Sequence, residues 1–129
     1  MDFKKIIYGK LNSKQKENFN FHKVASALAD YGYNSLRLND DWQGADFIAV
    51  NGNNMLKVQL KGRFTVDKKY IGKSILIAFI ENKIIKLYDH DEAVNMLAEN
   101  IINSKSWVDK GSYSWGQTPK IFNVVINEI

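Results

Sequence analysis

Apolar and polar positions alternate along this chain in two rhythms. Phe21, Val24, Leu28 and Tyr31 recur at spacings of three and four, an apolar stripe that predicts a helix over 13–32. Asn12 or Ser13 can cap it, and Gly32 can stop it. "YNSLRL" then reads as a short strand and "NDDWQG" as a polar loop. Two apolar runs, Asp46–Val50 and Met55–Leu60, flank Asn51-Gly52-Asn53-Asn54, which predicts a hairpin with a four-residue connection. "SILIAFI", Ser74–Ile80, is nearly continuous in apolar residues, as expected of a strand covered on both faces. After "ENK", "IIKLY" makes a fifth strand. Asp89 or Asp91 can cap a second helix through about Ile102, with Ala93, Leu97 and Ile101 at intervals of four. Thr118-Pro119 suits the start of a last helix toward Ile129, with Ile121, Val125 and Ile129 on one line. The order α-β-β-β-β-β-α-α predicts an α/β domain with a central mixed five-stranded sheet flanked by helices.

Composition narrows the class. At 129 residues the chain is sized for one domain, 1–129. It is 45% hydrophobic and 25% charged with a single proline, which argues against disorder. The absence of cysteine excludes disulfides and thiolate metal sites. No apolar run reaches the roughly 18 residues of a membrane span. In "MDFKKIIYGK" charges flank only two isoleucines, so no secretory signal is expected, and the expected location is the cytoplasm. Charge is uneven. Between Lys57 and Lys73 six basic residues face one acid, Asp67, so this window carries more than the chain's whole net charge of +4. Such a patch suits a polyanion.

Three polar side chains stand out in "GADFIAVNGNNMLKVQLKGR", Gly44 to Arg63. Asp46 opens an otherwise apolar strand, while Gln59 and Lys61, two apart, share one face of the next. Paired strands lie roughly 4.8 Å apart, so the three can converge on one ion-sized spot. The carbonyl of Leu60, between Gln59 and Lys61, adds an oxygen. Oxygen ligands of this kind suit a hard cation such as Mg²⁺, which binds phosphate and lowers the pKa of an attacking water. An adjacent ammonium would stabilise the charge that develops.

This arrangement resembles the PD-(D/E)XK nuclease superfamily, which includes many restriction enzymes, archaeal Holliday-junction resolvases and the end-cutting subunits of some transposons. The resemblance covers roughly Glu17 to Tyr88 and implies a restriction-endonuclease-like core. Asp46 matches the first acid of the pattern and Lys61 its lysine. Gln59 stands where the pattern has Glu or Asp, and Ala45 stands where it has proline. The resemblance implies a metal site of Asp46, Gln59, the Leu60 carbonyl and an acid from the preceding helix. Glu17 fits that last place because it extends the stripe by one turn, with Gln15 and Asn20 as weaker alternatives. It further implies a Mg²⁺-dependent DNA endonuclease, with Mn²⁺ able to substitute. Glutamine brings an oxygen but no charge, which keeps alive an alternative: a catalytically weakened nuclease-fold protein that binds nucleic acid or acts as an accessory.

Lys57, Arg63, Lys68, Lys69 and Lys73 are the expected phosphate contacts, with double-stranded DNA as partner. A domain this small would work as a homodimer to cut both strands, or as a subunit of a larger complex. Trp42, Trp107, Tyr113 and Trp115 fall in expected loops, where stacking on bases competes with covering the edge of a core. Core cover is favoured for Trp107 and Trp115. Asp40 and Asp41 are expected to shape the loop before the hairpin. His22 and His90 lack a partner at metal-ligand spacing and are expected at the surface.

Overall fold

Helix α1 (Ser13–Ala29) begins where Asn12 and Gln15 cap each other. Asn12 Oδ1 accepts from the Gln15 amide at 2.8 Å, and Gln15 Oε1 accepts from the Asn12 amide at 2.9 Å. The helix buries Phe21, Val24 and Leu28, the stripe read from the sequence. It stops short of Gly32, which takes a φ of +84°, and Tyr31 therefore leaves the stripe and lies exposed. Asn51 Nδ2 donates to the Tyr31 carbonyl at 3.2 Å and closes this end.

The computed structural model describes all residues, Met1–Ile129. Its strands are β1 (Asn34–Trp42), β2 (Ala45–Asn51), β3 (Asn54–Leu60), β4 (Thr65–Asp67), β5 (Ile75–Glu81), β6 (Ile84–Asp89), β7 (Ser112–Ser114) and β8 (Ile126–Glu128). Six form one sheet in the order β1-β2-β3-β5-β6-β8, one more strand than expected. All neighbours are antiparallel except β3 and β5. β4 and β7 make a separate antiparallel pair.

Turn chemistry fixes the hairpins. Asn51 pairs with Asn54, so the connection in the first hairpin is two residues, Gly52 and Asn53, rather than four. At the second, Asn82 and Lys83 both have positive φ between the paired residues Glu81 and Ile84, as a tight two-residue turn demands.

The sheet is covered on both faces. On one, α1 packs through Phe21, Val24 and Leu28 against Phe47, Ala49, Val58, Ala78 and Leu87. On the other, Ile75, Ile77 and Phe79 of β5 meet Phe64, Tyr70, Tyr88, Trp107 and Phe122. β5 thus contributes to both cores, as its unbroken apolar run predicts. Phe64 is the hub of the second core, with ring centroids of Tyr88, Phe122 and Trp115 at 4.5, 4.6 and 5.2 Å. Each such pair adds about 0.5–1.5 kcal/mol beyond its buried area. Trp107 is buried and Trp115 packs on this core, so both are covering residues.

Three expectations fail beyond Asp89. The second helix is two short ones, α2 (His90–Val94) and α3 (Glu99–Ile102), broken where Met96 and Leu97 turn in against the second core. The last helix is a single 3₁₀ turn, Lys120–Val124, followed by β8. There Ile121 and Val124 are exposed, Phe122 alone is the buried anchor, and the Ile129 amide bonds the Ile85 carbonyl at 2.9 Å. A β-branched sequence, Val124-Val125-Ile126, favours this extended edge over a helix. His90 is not at the surface but fully buried, its Nε2 accepting from the Asp67 amide at 2.9 Å. His22 is exposed, as expected.

Candidate active site

The register of β2 and β3 puts Phe47 opposite Val58. Continued by one residue, it puts Asp46 opposite Gln59, and residues directly opposed in a sheet share a face. Asp46 Oδ2 accepts from the Leu60 amide at 2.8 Å, which fixes the carboxylate at the end of β3. The Lys61 amide in turn bonds the Ala78 carbonyl at 3.0 Å, so the strand runs on through the lysine. Gln59 Nε2 points toward the Leu60 carbonyl at 3.4 Å. Asp46, Gln59, Leu60 and Lys61 are thus gathered at one corner of the sheet.

An irregularity in β1 opens this corner to solvent. β1 and β2 pair through Arg37↔Phe47 and again only at Trp42↔Ala45. Four residues of β1, 38–41, therefore lie opposite one residue of β2, Asp46. The polar "NDDW" run, expected as loop, is this bulged edge strand, and bulges of the kind commonly re-aim side chains beside sites. The resulting cleft, about 160 Å³, is lined by Glu17, Arg37, Asp40, Asp41 and Asp46 among nine residues.

Glu17 shares the cleft with Asp46 but not as a free carboxylate. Its oxygens lie 3.5 Å from Arg37 Nη2 and 3.7 Å from Lys14 Nζ. Arg37 is itself held by Asn18 Oδ1 at 2.6 Å and by the Phe21 ring at 5.0 Å. Arg37 was not singled out in the sequence. The alternation of "SLRL" marks it only as a polar strand residue.

Electrostatics distinguish Asp46 and Lys61. Burial raises the Asp46 pKa above the ordinary carboxylate value, the Leu60 N–H pulls it back, and Glu17 and Asp41 push it up further against Lys61. Lys61 is lowered, first by burial and then by the neighbouring Lys69, with Asp67 and Asp46 opposing. The ammonium groups of Lys61 and Lys69 lie 5.4 and 5.1 Å from the centroid of one ring, Tyr70. Tyr70, also missed in the sequence, is buried against Gly44.

No three His, Cys, Asp or Glu side chains converge closely enough to cage a metal by themselves. One carboxylate with the Leu60 carbonyl, joined by the Gln59 amide oxygen once that amide turns its Nε2 away from the carbonyl, nevertheless fits Mg²⁺, which keeps several waters and takes phosphate oxygens as ligands. Burial first, and the nearby Glu17 and Asp41 after it, disfavour the Asp46 carboxylate, and a cation there would favour it again.

The predicted basic residues split. Lys57 is on the face of Gln59, bonded to Gln43 Oε1 at 2.9 Å and over Trp42 at 5.8 Å. Lys69 is beside Lys61, with its Nζ 3.9 Å from Asp67. Arg63, Lys68 and Lys73 are exposed, Lys68 lying 5.2 Å from the Trp107 ring centroid. The 3₁₀ turn Lys68–Tyr70 that carries two of them is capped by Asp67, whose Oδ1 accepts from the Lys69 amide at 3.0 Å.

No family model matches the chain, and no curated protein matches it. Its mixed α/β fold is nevertheless one that a known endonuclease uses. The structure is similar to that of a bacterial homing endonuclease, I-Ssp6803I, at a TM-score of 0.52 and 13% identity, over 84% of this chain and 78% of that one. A looser likeness, to the Holliday junction resolvase Hjc of Archaeoglobus fulgidus, has a TM-score of 0.47 and 11% identity over 57% of this chain and 72% of that one, and carries no argument. The likeness is one of fold: a mixed α/β domain, here with six strands in the sheet in place of the five expected. No helix is long and apolar enough to cross a membrane.

Proposed function

We propose that this chain is a metal-dependent DNA endonuclease. The observation that carries the reading is Asp46: a half-buried carboxylate of raised pKa, tied to the end of β3, facing an open cleft next to a lysine of lowered pKa. The likeness of fold to a homing endonuclease supports it.

Asp46, the Gln59 amide oxygen and the Leu60 carbonyl would hold Mg²⁺ or Mn²⁺, with Glu17 acting through water because its oxygens already face Arg37 and Lys14. When bound, the ion supplies charge to the phosphate and acidity to the attacking water. Lys61 positions that water and stabilises the charge gathering on the phosphate. Burial and Lys69 make the free amine easier to form than in an exposed lysine, and in that form it accepts the water's proton. Lys69, across the same ring, holds a neighbouring phosphate oxygen. Arg63, Lys68, Lys73 and Lys57 bind the backbone on either side. A homodimer, or a larger complex with this chain as one subunit, would cut both strands of a duplex.

One observation favours a second reading. With Gln59 uncharged and Glu17 paired to two cations, Asp46 is the only carboxylate on the β2–β3 hairpin left to hold a metal, which suits a nuclease fold that binds DNA without cutting it. Incubating supercoiled plasmid with Mg²⁺ or Mn²⁺ separates the two. Nicking by the wild type that is lost in Asp46→Asn and Lys61→Ala supports the enzyme. Salt-sensitive binding without nicking in either metal overturns it in favour of the binding module.

A further inference from the structure

A second concave surface lies on the other flank of α1. It is a groove of about 860 Å³ between the N-terminal segment, the middle of α1 and the ends of β5 and β6. Four of its eleven lining residues are lysines, Lys4, Lys5, Lys23 and Lys83, and none is acidic. All four are exposed and none forms an ion pair. Between them the lining is apolar, with Phe19, Ile80 and Ile85.

The outer wall is held in place. Tyr8 accepts from Asn20 Nδ2 at 3.0 Å, and its ring meets Phe19 at 5.3 Å, which anchors the segment bearing Lys4 and Lys5 to α1. The groove and the cleft at Asp46 share no lining residue, and the link between them is the chain itself: Gly62, directly after Lys61, lines the groove.

We infer that this groove binds a single-stranded arm of the nucleic acid whose duplex part lies at Asp46. Four unpaired ammonium groups without a carboxylate call for a polyanion. The apolar floor decides which kind. A duplex turns phosphates outward and hides its bases, so it leaves a concave apolar surface uncovered. An unpaired strand places base faces on such a floor and phosphates on its rim. The substrate class is then a duplex with a flap, overhang or branch. The inference rests on the nuclease reading for what lies at Asp46, but the groove's own chemistry is independent of cutting.

The test is fluorescence anisotropy without divalent metal, comparing a blunt duplex with the same duplex carrying an arm of about 10 nucleotides, within the span of common single-strand sites. The wild type should bind the armed duplex about tenfold more tightly. In Lys5→Glu/Lys23→Glu that preference should vanish, and the slope of log affinity against log salt for the armed duplex should fall by about 1 per lysine. Both positions are exposed, and circular dichroism checks that the variant folds. Equal binding of the two duplexes by the wild type, or an unchanged preference in the variant, overturns the inference. So does capture of an acidic amphipathic peptide without preference for the arm. Preference for the arm without cleavage in Mg²⁺ supports the groove while removing the nuclease reading.

Discussion

The ring of Tyr70 lies against the bare Cα of Gly44: a β-carbon there would come to 2.9 Å from Tyr70 Cδ1. Gly44 also has a φ of +87°, a backbone that side chains disfavour. This contact sets Tyr70, and on it Lys61 and Lys69, over the start of β2. Gly44→Ala should destabilise the protein by about 1–3 kcal/mol, from the strained φ and the overpacked contact together. Urea unfolding measures this. Any nicking activity should fall in folded samples too, because the ring that carries both ammonium groups has moved.

Asp46→Asn should separate stability from activity. A carboxyl whose folded pKa is raised binds its proton more readily in the native state, so its contribution to stability falls as pH rises from the unfolded value, near 3.9, through the folded one. The variant avoids that loss. It should melt higher than the wild type at pH 7, and the difference should shrink in acid as the wild-type carboxyl protonates. Cleavage should drop by roughly 10²-fold or more, the scale of a lost electrostatic element. A variant that melts lower at pH 7 would show that the Leu60 hydrogen bond outweighs the charge.

Lys61 and Lys69 should be coupled in a pH profile. The positive charge of Lys69 lowers Lys61, so Lys69→Gln should raise it and move the rising limb of kcat to higher pH. Lys61→Ala should lower kcat by about 10²–10⁴-fold, as for loss of a general base. Lys61→Arg, which keeps the charge but cannot give up its proton near neutrality, should fail to restore the rate. Restoration by arginine would reduce the role of Lys61 to electrostatics.

His90 should make the fold acid-sensitive. Burial lowers its pKa, with Asp91, Asp67 and Asp89 opposing, so the native state binds this proton less readily than the unfolded chain does. Its Nε2 is occupied as an acceptor, and its buried Nδ1 lies 3.5 Å from Asp91 Oδ1, too far for a good hydrogen bond. Below the unfolded value of about 6.5 the unfolded chain takes up this proton before the native state does, so stability is lost as pH falls from there through the folded value. His90→Gln keeps an acceptor for the Asp67 amide without titrating. Thermal melts from pH 7 to 5 should show a smaller decline for this variant than for the wild type.

The parts legible in the sequence were those fixed by near neighbours. The α1 stripe, its Asn12 cap and the two hairpins follow from spacings of two to four residues. Asp46, Gln59 and Lys61 come together because one tight turn joins their strands. What escaped depends on distant partners. Nothing in "NDDW" tells that it edges a sheet and bulges around one carboxylate, since an edge strand tolerates the same polar residues as a loop. The helical stripe brings Glu17 to the cleft, yet its pairing with Arg37 joins elements twenty positions apart. The burial of His90 is not legible in the sequence because its partner is a backbone N–H, which no side-chain spacing reveals. Ile121, Val125 and Ile129 mimic a helical stripe, but the sheet edge at β6 offered a better use for the chain's end.

The segment from Thr65 to Gly72 is pinned from beneath by three side chains of the adjoining β6–α2 corner. The Tyr88 hydroxyl accepts from the Thr65 amide and donates to its carbonyl, His90 takes the Asp67 amide, and Asp91 takes that of Gly72. Ordering a loose backbone on association costs about 1–2 kcal/mol per residue. Here that loss falls on folding instead, so the lysines in this segment wait in a fixed constellation. An incoming anion then meets a template already cast, whose pattern of charges can discriminate by shape as well as attract.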